Sequence, residues 1–196
     1  MEIPNRSKLS KHWSLDPSCV FLNHGSFGAA PIFVQEEQNR WRRVLENEPV
    51  KFFEDIAPEV MLESRKAIAE MVNCDADDLA LIENATTGVN IIMRSLEFNQ
   101  DDEILVPNHA YQACRNAIDY IANRWGAIVK TCNIPFPIKD KQIAIDAIMS
   151  KVTEKTVLVM IDTVTSPTGL KMPFEKIIEK LEKRGINVLL DAAHGI

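Results

Sequence analysis

The sequence has no run of about 18 apolar residues, so it holds no segment that would span a bilayer as a helix. Its opening stretch, MEIPNRSKLSKHW, lacks the apolar core of a secretory signal, which points to a cytoplasmic protein. The four cysteines (Cys19, Cys74, Cys114, Cys132) form no CxxC pair, and neither a zinc ribbon nor a disulfide framework is expected. The four histidines contain no HExxH and no close pair, so no metal site is expected either. No GxGxxG follows an apolar run, which weakens a nicotinamide-dehydrogenase reading. Lys plus Arg number 22 against 28 Asp plus Glu, a net charge of −6 with no basic block. Such a balance argues against nucleic acid or an anionic membrane as the main partner. A small anionic ligand stays open, because one phosphate needs only a local set of donors.

What the chain does have is an ordinary globular composition. Its 196 residues are 46% hydrophobic and 26% charged, enough for a core of useful size in one domain or one and a half. The first fifteen residues read as a polar lead-in. The run Val20-Phe21-Leu22 is broken by Asn23-His24-Gly25-Ser26, which is turn chemistry. Pro31 suits the first turn of a helix reaching about residue 47, and a second helix is expected from Pro58, with Val60, Met61, Ile68, Met71 and Val72 on one broad face. Residues 1–57 are therefore read as an N-terminal segment, and 58–196 as the larger domain.

After residue 78 short apolar runs alternate with helical patterns. The expected strand–helix pairs are 79–82 with 86–96, 103–106 with 111–125, 127–134 with 142–152, and 156–161 with 174–184, before a last strand at 187–190. Runs too uniform to alternate suit a sheet buried on both faces, and this rhythm predicts an α/β domain with a mainly parallel sheet. Ligands in such sheets sit at the carboxyl ends of the strands, so the residues just after each strand carry the functional weight.

Four such segments carry chemistry. Asn84-Ala85-Thr86-Thr87-Gly88 precedes a helix, where Thr86 or Thr87 can cap it and the positive helix end can hold a phosphate; a plain Thr-capped helix would look the same. Asn108-His109-Ala110-Tyr111 offers His109 or Tyr111 to a flat heterocycle, or simply two packed aromatics. The stretch Asp162-Thr163-Val164-Thr165-Ser166-Pro167-Thr168-Gly169 is a hydroxyl-rich loop able to hold a ligand oxygen, or a structural turn. Asp191 ends an apolar strand, where a carboxylate is costly unless a cation such as a protonated ring nitrogen pairs it, and His194 follows three residues on. A helix-capping role is the simpler alternative for Asp191.

Taken together, Phe21-Leu22-Asn23-His24-Gly25-Ser26-Phe27-Gly28, Asn84-Ala85-Thr86-Thr87-Gly88-Val89-Asn90, 108–114, Thr163-Val164-Thr165-Ser166-Pro167-Thr168-Gly169 and Asp191-Ala192-Ala193-His194 resemble the class V aminotransferase family of pyridoxal-phosphate enzymes. The resemblance is to its isopenicillin N epimerase-like branch, with cysteine desulfurases more distant. It implies a fold-type-I large domain, a three-layer α/β/α sandwich, here incomplete and preceded by a helical segment. It also implies pyridoxal 5'-phosphate as cofactor, an amino acid or amino-acid derivative as substrate, and a homodimer for the full-length form.

The resemblance further implies roles. Ala85, Thr86 and Thr87 would hold the phosphate, and His109 or Tyr111 would stack on the pyridine ring. Asp191 would pair with the ring nitrogen, and His194 and Ser166 would stand near the phenolic oxygen. Asn23, His24, Gly25 and Ser26 would line the substrate side. Thr163 stands where this branch often has His. The Schiff-base lysine and a carboxylate-binding arginine would fall beyond Ile196, so the chain reads as an N-terminal part, inactive alone. Epimerisation, C–S lyase or desulfurase chemistry and transamination share these residues. A reading of a different class is a truncated, non-catalytic cofactor-binding or interaction protein.

Overall fold

Four apolar runs form a parallel sheet, and its central strands are the most thoroughly buried parts of the chain. The strands are β1 (Glu103–Pro107), β2 (Ile128–Cys132), β3 (Thr156–Asp162) and β4 (Asn187–Asp191), ordered β2-β1-β3-β4 with every neighbouring pair parallel. This computed structural model describes residues 6–195. The chain divides into two compact units, one ending at Ala80 and the other beginning at Leu81.

In the second unit the side chains of the central strands alternate between two cores. Ile104 and Val106 of β1, with Leu158 and Met160 of β3, pack against helices α5 (Ala85–Ser95) and α6 (Gln112–Trp125). Leu105, Val159 and Ile161 pack on the opposite face against α7 (Lys141–Met149) and α8 (Phe174–Glu182). Two helices on each face make a three-layer α/β/α sandwich, the arrangement expected for a parallel sheet that must be covered on both sides. Helix ends follow from local chemistry: Asp140 Oδ1 accepts from the Gln142 N–H at 2.8 Å at the start of α7, and Gly126, at φ 74°, ends α6 in the left-handed region.

At the amino ends of the strands the buried Glu103 binds Lys130 at 2.5 Å and accepts a hydrogen bond from the Thr153 hydroxyl at 2.6 Å. Burial works to raise the pKa of Glu103, but the bonds from Lys130, Thr153 and Thr156 outweigh it and hold the carboxyl below its ordinary range. The pair ties β1 to β2 and to the loop that enters β3.

The first unit is helical. It contains a one-turn α1 (His24–Phe27), α2 (Ile32–Asn47) with Pro31 as its N-cap, α3 (Pro49–Lys51) and α4 (Ala57–Val72), with a π-helical turn, Phe52–Ile56, between the last two. Two expectations need correction. Residues 79–82 form no strand: Leu79 is extended, but no strand among the described residues pairs with it. The backbone stays helical through Lys51, Phe52 and Ala57. Asn23 to Ser26, expected as a turn, belong to the single helical turn of α1, with Asn23 as its N-cap.

Ile161 is fully buried on the α7/α8 face. Ile161→Ala should cost about 2–5 kcal/mol of unfolding free energy, the usual range for such truncations. Urea denaturation of the full-length protein checks this, and a loss below about 1 kcal/mol would mean that the site collapses or is not core.

Candidate functional site

The chain runs from β1 outward to β2 through α6, then returns to the other side of β1 through α7 to form β3. The winding therefore reverses between β1 and β3. At such a reversal the loops leaving two adjacent strands part in opposite directions and open a crevice at the strands' carboxyl ends. The loops after β1 and β3, the end of β4 and the start of α5 meet around this edge of the sheet.

The loop after β1 is pinned by Asn108, whose Oδ1 accepts from the Ile134 N–H at 2.8 Å while its Nδ2 donates to the Ile134 carbonyl at 3.2 Å. His109 follows, 6% exposed, with Nε2 2.8 Å from the Ile134 carbonyl and Nδ1 3.0 Å from the Thr168 hydroxyl. A carbonyl can only accept, so Nε2 carries the proton and Nδ1 accepts from Thr168. Thr168 in turn lies 2.7 Å from the Thr165 hydroxyl, so a chain of bonds runs from the β3 loop across the crevice to the β1 loop. The His109 ring is locked in place and its edge is fully engaged. Tyr111, the N-cap of α6, is 45% exposed.

Asp162 and Asp191 are register partners at the ends of β3 and β4. Both are buried, at 3% and 6% exposure, on strands about 4.8 Å apart. Asp191 Oδ1 accepts from the Ala193 N–H at 3.0 Å, and Oδ2 accepts from the Cys114 thiol of α6 at 3.5 Å. Asp162 Oδ2 is buried without a hydrogen-bond partner among the described residues. Burial first, and the neighbouring Asp191 charge second, push Asp162 up to about 7. Burial and Asp191 also push the Cys114 thiol up to about 12, so it serves as a neutral donor and not as a nucleophile.

Asn84, rather than Thr86 or Thr87, caps α5: its Oδ1 accepts from the Thr87 N–H at 2.9 Å. Asn reaches the third N–H of a helix as readily as Ser or Thr, and here it stands one position before the helix. Ala85 and Thr86 supply the first two N–H groups of α5, which have no partner inside a helix. Thr86, at the head of α5, lies near the Cys114 thiol and opposes its upward shift, while Cys114 itself links α6 to Asp191 of β4.

Of the residues singled out from sequence, Ala85, Thr86, Thr87, His109, Tyr111, Ser166, Asp191 and His194 all lie in the second unit, at the starts of α5 and α6, at the end of β4 or in the segments that follow β1, β3 and β4. Ser166 and His194 are exposed, and neither makes a side-chain hydrogen bond among the described residues. Asn23, His24, Gly25 and Ser26 belong to the first unit, where the His24 ring meets Phe21 edge-on at 4.7 Å. Cys114 and Thr168, which sequence reasoning gave no separate role, carry the bonds that join the segments. In sequence Asp162 opens a polar loop; its place at the end of an apolar strand is the signal that marks it. Gly195 packs so closely on Thr163 that a β-carbon would overlap the threonine hydroxyl, which accounts for glycine after His194.

The family model Aminotransferase class-V matches residues 43–196. The chain belongs to the class-V aminotransferase family. It is 31% identical to isopenicillin N epimerase of Streptomyces clavuligerus over 92% of this chain and 45% of that protein. It is 28% identical to an L-cysteine desulfhydrase of Arabidopsis thaliana over 89% of this chain and 42% of that protein. Its fold matches a solved variant of C-DES with glycine covalently linked to the PLP cofactor, with a TM-score of 0.80 at 22% identity over 98% of this chain and 50% of that one. The chain therefore spans under half the length of these curated relatives.

Asp162 ionises near 3.8 when unfolded and near 7 when folded. The folded state binds the proton more tightly, so this group's contribution to stability is full below 3.8 and is lost as pH rises to about 7. Asp162→Asn should flatten that part of the pH dependence. Urea denaturation of the full-length protein at about pH 4.5 and about pH 8 should show a smaller fall in the variant than in the wild type, and an equal fall would contradict the shift.

Proposed function

We propose that this chain is the N-terminal part of a pyridoxal-phosphate-dependent enzyme acting on an amino acid or an amino-acid derivative. The observation that carries the reading is Asp191, a buried carboxylate at the end of a parallel strand, beside the winding reversal and with no cationic partner among the described residues. Family membership supports pyridoxal 5'-phosphate as the cofactor. The residues present fit that group: a carboxylate ready for a protonated ring nitrogen, a buried acid beside it with one oxygen unpartnered among the described residues, and a helix start with free N–H groups for a phosphate. When bound, the cofactor supplies an electron sink for a carbanion at the substrate α-carbon.

The protein's part is orientation and electrostatics. The N–H groups of Ala85 and Thr86, with the Thr86 and Thr87 hydroxyls, receive the phosphate. Asp191 keeps the ring nitrogen protonated, and Cys114 and the Ala193 N–H hold that carboxylate in place. His109 or Tyr111 provides the aromatic surface for the ring: His109 is fixed and can offer only a face, while Tyr111 is free to move. Ser166 and His194 are assigned to the phenolic oxygen, and Asn23, His24, Gly25 and Ser26 to the substrate side.

The relatives' chemistries make C–S cleavage and epimerisation the first two reactions to assay, with transamination third. Residues 1–196 alone are proposed to turn over no substrate. Among the described residues no lysine bonds to this cluster, and the two lysines in ion pairs, Lys130 and Lys183, bind Glu103 and Glu179. The full-length form is proposed to be a homodimer, a reading supported by the exposed Phe27, Phe33 and Phe53 of the first unit. A reducing compartment such as the cytosol suits its four free cysteines, and no described helix is long and apolar enough to cross a membrane.

Replacing Thr86 and Thr87 together by Ala in the full-length protein removes two hydroxyl donors, each worth about 1.5–3 kcal/mol toward a charged group. Cofactor affinity, followed by absorbance titration, should fall at least about tenfold. Unchanged affinity would put the phosphate elsewhere. Asp191→Asn should retain cofactor while α-proton exchange of bound amino acids falls by orders of magnitude, since a preorganised charge in a dry site is worth several kcal/mol. Equal exchange at equal occupancy would remove Asp191 from the proposed role.

A further inference from the structure

We propose that Asp162 and Asp191 are a proton-sharing pair, in which Asp162 holds the proton so that Asp191 presents a single negative charge to the ring nitrogen. The consequence for the ring rests on the function proposed above; the pair itself is a property of this chain alone. The two side chains leave adjacent parallel strands at matched register, on the face that carries α5 and α6. Both are buried, and the titratable or charged groups around them are few. From α6 the Cys114 thiol faces Asp191, and from α5 the Thr86 hydroxyl faces that thiol. Arg94 of α5 lies over the Tyr120 ring, His109 is spent on Ile134 and Thr168, and His194 is exposed without a bond to either acid. No Lys or Arg among the described residues forms an ion pair with either carboxyl.

Two buried carboxylates this close cannot both ionise cheaply, and one proton shared between them removes the repulsion. The surroundings choose its holder. Asp191 accepts from a backbone N–H and a thiol, which favour its anion, whereas Asp162 Oδ2 accepts from no group among the described residues. A protonated Asp162 also has an O–H to give, and the neighbouring Asp191 is the nearest anion along the register. The upward shift of Asp162, with the Asp191 charge as its second cause, agrees with this division. Asp162 is thus a positioning residue: it touches no ring or substrate in this scheme and acts by fixing the charge on Asp191.

The test is a carboxyl titration by NMR of the cofactor-free, full-length protein labelled with 13C at Asp. The wild type should show one Asp carboxyl, Asp162, titrating near neutrality. The Asp191 resonance should record a second inflection, at the Asp162 midpoint. Asp191→Asn should lower that midpoint by about one pH unit or more, a tenfold change in proton affinity, because the neighbouring charge is gone. Asp162→Asn should abolish the neutral titration. No Asp titrating above the ordinary carboxylate range, or no second inflection at Asp191, overturns the proposal, and the wild type alone decides this if the variants do not fold. An unmoved Asp162 midpoint in a folded Asp191→Asn also overturns it, since burial alone would then explain the shift. Failure to bind pyridoxal phosphate would overturn the proposed function and leave the pair standing.

Discussion

A parallel sheet covered by helices on both faces has nowhere to place polar groups except along its two ends. That constraint governs this molecule. The interior positions of β1 and β3 are filled by Ile104, Leu105, Val106, Leu158, Val159, Met160 and Ile161, and a carboxylate among them would be unpaired and dry. At the amino end Glu103 is rescued by Lys130 and two threonines. At the carboxyl end no such rescue exists within the described residues, and Asp162 and Asp191 stand side by side at matched register instead. The difference between the two ends separates a structural ion pair from the site proposed to take a cation.

The remaining bonds at the carboxyl end act as braces. Asn108 and His109 both grip Ile134, so the loop after β1 cannot swing away from the segment after β2. Thr168 and Thr165 extend that grip to the loop after β3. Cys114 reaches from α6 to Asp191, near Thr86 at the head of α5. Burial keeps its thiol protonated, which suits a donor to a carboxylate and would disable a nucleophile. A site braced by groups whose protonation states are set before any ligand arrives loses little free energy to reorganisation when charge develops in it.

Family membership and this geometry support each other without duplicating each other. The match to the class-V aminotransferase model says what kind of protein this is; the carboxyl pair, the free helix start and the locked histidine say how its residues could meet a flat, phosphorylated cation. The relatives carry the names of different enzymes, an epimerase and a desulfhydrase, which agrees with the cofactor-holding role proposed for this site.

Local pattern was enough to read much of this protein. Uniform apolar runs separated by helical periods marked all four strands to within a few residues, and Asp191 stood out because a charge ending an apolar strand needs a partner. Residues 79–82 misled because an apolar tetrad becomes a strand only when a neighbour supplies backbone bonds, which sequence periodicity does not report. The capping of α5 by Asn84 instead of a threonine was a choice among equivalent side chains that only the backbone path resolves. The sequence by itself determined which residues could bear charge and which had to be buried, since those follow from side-chain chemistry and spacing. Only the tertiary structure decided that Asp162 stands beside Asp191, that Cys114 bonds to it, and that His109 is locked by Thr168. Those contacts join residues 29, 77 and 59 positions apart, and strand order and register, not local sequence, bring them together.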